Sequence, residues 1–293
     1  MKKTGGATFN ADEKFLYFFA TGLQWHLRVS SAGHKNYLVA VNHITEGESG
    51  IAELEQLCAI PDVKVFLDSG IFTLVTDYSR VNDISFEEVL LMQPDALPGY
   101  DKLKKRYIEL IIQFQSKLWG FVELDLGGTA TKQRTRAELE ARGLNPIPVF
   151  HPMGDSWEYY DHLITEYDRI CFSDIKFAAQ STRATVFTEA MRRRRVLGSE
   201  CYIHVLGASA NALTTSLRAD SCDSSSWNSR LRFPVLNTIN LQGNLKGLPE
   251  WFLYEQNGDS SLITKSGESC AYQSYLFNEG RQSLFDELYA ARL

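Results

Sequence analysis

The segment Ala219-Asp220-Ser221-Cys222-Asp223-Ser224-Ser225-Ser226-Trp227 sets two carboxylates three residues apart among small hydroxyl side chains. That composition suits neither a packed core nor a helix, and taken alone it describes a Ser-rich Asx turn. Four other places end an apolar run on a polar group: Asp68-Ser69-Gly70, Glu123-Leu124-Asp125, Pro148-Val149-Phe150-His151 and His204-Val205-Leu206-Gly207. Gly70 permits a tight turn and a close approach of backbone to a ligand, whereas Asp68 by itself reads as a helix N-cap. Carboxylates and imidazoles of this kind suit metal ligation, with Asp68, Asp125, His151, His204 and Asp223 as the candidate ligands. His204 and Glu123 read equally as satisfied polar groups of a core. By strand alternation His204 shares a face with Tyr202 and Leu206, and Glu123 shares one with Asp125.

The elements that must position these residues alternate. Strand-like runs at 15–20, 37–41, 63–68, 120–125, 147–151, 169–173, 201–206 and 217–222 are separated by helical segments at 51–58, 86–92, 102–118, 132–142, 157–167, 182–196 and, briefly, 208–216. Strands alternating with amphipathic segments indicate βα units and a parallel sheet. Eight of them indicate an α/β fold closed as a (β/α)8 TIM-like barrel, whose active site forms at the C-terminal strand ends. Asp68, Asp125, His151, Ser173 and the turn after His204 fall at those ends. Ile108, Ile111, Ile112, Gln115 and Trp119 recur at the helical period and are expected to pack on the outside of the barrel. Beyond Asn228 comes a turn-rich connection with Pro234, Asn237, Asn240, Gly243, Asn244, Gly247 and Pro249. The final apolar residues, from Tyr275 to Tyr289, suggest a terminal helical pair over 273–293. The expected division is therefore 1–230 for the barrel and 231–293 for a C-terminal helical extension packed on it.

The 293 residues are 44% hydrophobic and 23% charged, which fits a globular chain with a full core and excludes disorder, collagen and coiled coil. Apolar runs fall far short of the roughly 18 residues a membrane helix needs, and Asp12, Glu13 and Lys14 interrupt any export signal. No membrane partner is expected. Five scattered cysteines without a C-x-x-C pair suit a reducing cytoplasm. A formal charge of -6 argues against coating by nucleic acid, so any contact with phosphate must come from local clusters. The clusters are Lys102, Lys104, Lys105 and Arg106; Lys132, Arg134 and Arg136; Arg192, Arg193, Arg194 and Arg195; and Arg218, Arg230 and Arg232. Each alone reads as a solvated helix face.

The order Asp-Ser-Gly, Glu-Leu-Asp, Val-Phe-His, His-Val-Leu-Gly and Asp220-x-x-Asp223 resembles the tRNA-guanine transglycosylase superfamily over about residues 15–230. The Val-Phe-His and Asp-Ser-Ser-Ser-Trp elements are more similar to the DNA 7-deazaguanine transglycosylases of phages and bacteria. The resemblance implies exchange of guanine in DNA for a free 7-deazaguanine base, with no cofactor, in the cytoplasm of a bacterium or of a phage's host. A homodimer is compatible with it. The tRNA enzymes carry a zinc site of three cysteines and a histidine after the last barrel strand. Here only Cys270 follows Asp223, and no histidine follows His204.

By motif position Asp223 resembles the nucleophile, Asp68 the general acid/base, and Asp220 a structural partner of the loop. Asp125 resembles the carboxylate that holds the Watson–Crick edge of the base. His151 stands where the tRNA enzymes place a glutamine. Ser69, Gly70, Phe72, Leu206 and Gly207 complete the implied base pocket, with Phe72 read equally as core. Arg218, Arg230 and Arg232 are the candidate nucleic-acid contacts. Base exchange on RNA, a metal-dependent barrel hydrolase and a non-catalytic nucleic-acid-binding subunit are the rival readings. The first strand lacks the H-x-H pair of such hydrolases, and a scaffold has no need of buried carboxylates.

Overall fold

The structure, a computed structural model, describes residues 1–10, 16–20, 22–23, 35–173, 180–208, 219–225, 235–239 and 245–249. Eight parallel strands appear in order: β1 Leu16–Ala20, β2 Asn36–Ala40, β3 Lys64–Asp68, β4 Gly120–Phe121, β5 Val149–Phe150, β6 Arg169–Phe172, β7 Tyr202–Val205 and β8 Ser221–Ser224. Between them lie α1 Glu48–Ala59, α2 Ile71–Asn82, α3 Phe86–Leu90, α4 Tyr100–Phe114, α5 Gly128–Glu140, α6 Trp157–Glu166 and α7 Gln180–Val196. The hydrogen-bonded order β4-β3-β2-β1-β8-β7-β6-β5 places consecutive strands side by side, with β8 beside β1 and with β4 and β5 at the two ends. A parallel bridge between Val122 and Ile147 joins β4 to β5, with Ile147 N donating to Phe121 O (2.8 Å) and Glu123 N to Ile147 O (2.9 Å). The ring is closed, and the fold is a (β/α)8 barrel.

Alternation divides each strand between two cores. Phe18, Leu38, Phe66, Val122, Val149, Cys171 and Tyr202 fill the inside of the barrel together with Trp119. Their strand neighbours, such as Phe19, Val39, Leu67, Phe121, Phe150, Phe172, Val205 and Cys222, meet the helices. The N-terminal end of the barrel is plugged by the first ten residues. Fully buried Arg169 donates to Thr4 Oγ1 (2.6 Å), Trp119 O (2.7 Å) and Gly5 O (2.6 Å), and its guanidinium lies 4.0 Å from the Phe9 ring centroid. Burial lowers its pKa to about 10 despite the opposing Asp168 charge, so it remains charged.

All eight expected strands occur, with three departures that matter. The last strand lies at Ser221–Ser224 instead of 217–222, so Asp223 belongs to a strand and not to a turn. Hydroxyl residues obscure the β pattern there, and pairing with β1 decides it. The helix Ile71–Asn82 had no counterpart in the sequence reading, because Thr73, Thr76 and Ser79 dilute its apolar period; Ile71 and Val75 nevertheless form its buried face. The helix at 102–118 ends at Phe114. Ile112 is exposed, and Trp119 lies inside the barrel instead of on the outer face.

Where a turn-rich connection is expected, Val235–Ile239 (β9) and Leu245–Pro249 (β10) pair antiparallel, Ile239 against Leu245 and Val235 against Pro249. The β-branched Val235, Thr238 and Ile239 favour a strand. The expected helices over 273–293, and 208–216 apart from Ala208, lie outside the described residues. Among the described residues no helix is long and apolar enough to cross a membrane.

Candidate active site

Asp68 ends β3, and its Oδ2 accepts from Gly70 N (3.1 Å) in a tight turn. Gly70 has φ +79°, and a Cβ there would meet Asn42 Oδ1 at 1.8 Å, so only glycine fits. Gly70, not Asp68, therefore stands at the N-cap of α2. Ser69, fully buried, accepts from Ile71 N (3.4 Å) and donates to Asp125 Oδ1 (3.5 Å). Asp125 Oδ2 lies 3.0 Å from His151 Nε2. The pair is largely buried, with side chains 13% and 7% exposed. An ionised carboxylate only accepts, so His151 Nε2 carries the proton in this contact.

Above the single bridge between β4 and β5, side chains replace the ladder. Glu123 Oε1 accepts from Val149 N (2.6 Å), while Lys132 Nζ donates to Val149 O (3.0 Å). Lys132 also pairs with Asp155, which accepts from His151 N (2.8 Å) and Thr129 Oγ1 (2.6 Å). Arg136 meets Glu123 Oε2 at 2.7 Å. Burial pushes the Asp155 carboxyl up, but the Lys132 ammonium and the hydrogen bonds from Lys132, Thr129 and His151 outweigh it and hold its pKa below 3.8. Of the second basic cluster, Lys132 and Arg136, 1% and 4% exposed, are internal and close the seam that carries His151, whereas Arg134 is exposed. Glu123 is a satisfied core group, as one reading had it. It does not share a surrounding with Asp125, because the extended pairing stops at the Val122 bridge and the alternation lapses.

On β8, Asp223 is 4% exposed, and Oδ1 accepts from Gly207 N (3.0 Å) and lies 3.1 Å from His204 Nε2. His204 Nδ1 lies 2.7 Å from Ser221 Oγ. Phe66 and Phe18 meet the imidazole edge-on, at centroid distances of 4.8 and 5.6 Å. Asp220 accepts from Ile203 N (2.8 Å) and pairs with Arg194 (3.2 Å), tying β7 to α7; it is structural, though it braces a strand and a helix and not the loop. Burial raises its pKa despite Arg194.

The buried Cys171 thiol, paired in register with His204, is pushed far above its usual pKa first by burial and then by the charges of Asp223, Asp125 and Asp68. Asp68 on β3, Asp125 and His151 just beyond β4 and β5, His204 on β7 and Asp223 on β8 stand at or near the C-terminal strand ends. They form two carboxylate–imidazole pairs, Asp125 with His151 and Asp223 with His204. Among the described residues no three His, Cys, Asp or Glu side chains are grouped to hold one metal ion, so the hydrolase reading finds no ligand set there.

Two expected base contacts have other partners: the Gly207 N–H is engaged by Asp223, and the Phe72 ring, 42% exposed, lies 5.4 Å from Phe86 and is not core. Leu206 is half-buried and packs on the barrel interior. Arg218, Arg230 and Arg232 lie outside the described residues. The seam residues Lys132 and Asp155 were missed. Their only sequence signal is a lysine on a polar helix and an aspartate four residues after His151.

No family model and no curated protein matches the chain. Among solved structures it is similar to a protein from Aquifex aeolicus VF5 (11% identity, 91% of this chain and 94% of that one, TM-score 0.44). Tryptophan synthase from M. tuberculosis is 12% identical over 76% of this chain and 87% of that one, with TM-score 0.45. For 2,3-dimethylmalate lyase, a PEP mutase/isocitrate lyase superfamily member, the values are 9%, 92%, 94% and 0.40. The barrel is established by its own strand order, and the transglycosylase resemblance is carried by the motifs alone.

Proposed function

We propose that the chain is a DNA-guanine transglycosylase, a pentosyltransferase that exchanges guanine in DNA for a free 7-deazaguanine derivative such as 7-cyano-7-deazaguanine. The observation that carries this reading is the Asp223 carboxylate. It is buried on β8, and among the described residues both of its hydrogen bonds fall on Oδ1. Oδ2 is the oxygen left to form a bond to carbon.

In this reading Asp223 Oδ2 attacks C1′ as the bond from C1′ to the base breaks. The electron pair goes to the departing guanine, which takes a proton from the Asp68 carboxyl group. The incoming base gives its proton to the Asp68 carboxylate and displaces Asp223 from C1′. Two displacements on one carbon retain the configuration, which is the logic of a carboxylate nucleophile paired with a second acid/base. Asp125 accepts from N1–H and the amino group of the base. Each carboxylate oxygen has two lone pairs, so the His151 bond is compatible with this. His151 then acts by orienting Asp125. Ser69 and Gly70 line the same side, Phe72 and Leu206 offer apolar surface, and the nucleotide must be flipped out or single-stranded to enter. Arg218, Arg230 and Arg232 are assigned to phosphate.

Incubation of the purified protein with labelled guanine and either DNA or tRNA tests the reading. The expected result is label in DNA, and exchange that persists under strong chelation. Label in tRNA alone overturns the polymer, no label in either overturns the exchange, and activity lost to a chelator and restored by zinc favours metal chemistry.

A further inference from the structure

We infer that His204, backed by Ser221, is a positioning residue that holds the Asp223 carboxylate in its attacking geometry. The inference rests on the transglycosylase reading of Asp223. His204 is 1% exposed and sits against the aromatic interior of the barrel, where an imidazole without partners is costly. Both of its nitrogens have one: Asp223 Oδ1 at 3.1 Å and Ser221 Oγ at 2.7 Å. A neutral imidazole donates from one nitrogen and accepts at the other. Since an ionised Asp223 accepts, Nε2 carries the hydrogen and Nδ1 accepts from the Ser221 hydroxyl. The chain of donors runs one way, from Ser221 through His204 to Asp223.

The same three residue types make the triad of serine hydrolases, but the order in space is reversed. Ser221 is fully buried and lies two residues nearer the N-terminal end of β8 than Asp223, away from the barrel mouth. The working end is the carboxylate. With the Gly207 N–H on the same oxygen, His204 fixes the carboxylate plane and leaves Oδ2 to the sugar. When Oδ2 bonds to C1′ the negative charge leaves the carboxylate, and when the second base displaces it the charge returns. His204 keeps its proton through both steps, donating to Oδ1 throughout.

The test compares His204→Phe, which keeps ring bulk but no donor, with His204→Gln, whose amide N–H reaches about as far as Nε2 and does not titrate. His204→Phe is expected to lose about 100-fold or more in kcat, the scale seen when one preorganised donor is removed, with KM for the free base unchanged because Asp125 holds it. His204→Gln is expected to recover most of the loss. A folded His204→Phe with wild-type kcat overturns the inference and leaves the exchange reading intact. A Gln variant no better than Phe overturns positioning in favour of proton transfer. A wild-type protein that exchanges no guanine in DNA overturns the underlying reading instead.

Histidine 15N spectra of the wild-type protein give a test independent of variant folding. An Nε2-protonated His204 whose Nε2 signal moves in Asp223→Asn is expected. The opposite tautomer, or indifference to Asp223, overturns the assignment.

Discussion

At the scale of single residues, Asp220 and Asp223 show how three positions along one chain separate two roles. Asp223 turns inward beside His204, whereas Asp220 bonds to the Ile203 backbone and to Arg194. We predict that Asp223→Asn lowers exchange more than about a thousandfold, the range for loss of a covalent nucleophile, with an unchanged circular dichroism spectrum. Asp220→Asn should keep exchange and lower thermal stability, since it removes charge from the Arg194 pair. If the two variants exchange these outcomes, the nucleophile has been placed on the wrong carboxylate. Asp68→Asn is expected to cost about 10²–10⁴ in kcat, as for a general acid.

At the scale of elements, the seam between β4 and β5 is the distinctive joint. One backbone bridge closes the ring, and α5 reaches in with Lys132 and Arg136 to complete what a longer ladder would have done. Buried pairs of this kind resist loss of one partner, because the other is left charged in a dry site. Asp155→Asn is expected to destabilise by about 3–5 kcal/mol, read by urea denaturation, and to raise KM for the base through displacement of His151. The pH dependence follows from the lowered Asp155 pKa. A carboxylate with a depressed folded-state pKa contributes stability that is complete above its unfolded value of 3.8 and is lost as pH falls from there through the folded value. The acid limb of the stability curve should therefore be shallower in Asp155→Asn than in the wild type.

At the scale of the whole molecule, two features bear on stability and on partners. The N-terminal ten residues close the lower end of the barrel through Arg169, so Arg169→Met strands the carbonyls of Thr4, Gly5 and Trp119. A loss of about 3–5 kcal/mol is expected in denaturant titration. On the outer surface, Arg192 and Arg193 are paired with Glu189, Arg193 also meets Asp161, and Arg194 meets Asp220. Their charge is matched locally and is carried on a helix outside the barrel. Neutralising Arg230 and Arg232, close in sequence to Asp223, is predicted to weaken DNA binding and reduce its salt dependence more than neutralising the α7 cluster. A larger effect from α7, measured across salt concentrations, counts against DNA approaching at the barrel mouth.

The sequence by itself determined the barrel and the polar strand ends. Eight β-branched or aromatic runs separated by amphipathic stretches are a local signal, and alternation assigns Tyr202, His204 and Leu206 to one face. Motif order singled out Asp68, Asp125, His151 and Asp223, whereas His204 read equally as a satisfied core group. Only the tertiary structure decided what those groups touch: Asp125 with His151, Asp223 with His204, Gly207 with Asp223, and Asp220 with a helix. The partners stand on other strands, and the period of a strand encodes a face but not a neighbour. Lys132 and Arg136 mark the same limit, for α5 reads as a solvated helix until Asp155 and Glu123, from other segments, are brought against it. The last strand, too, was settled by pairing with β1, because a run of serines carries little β preference of its own.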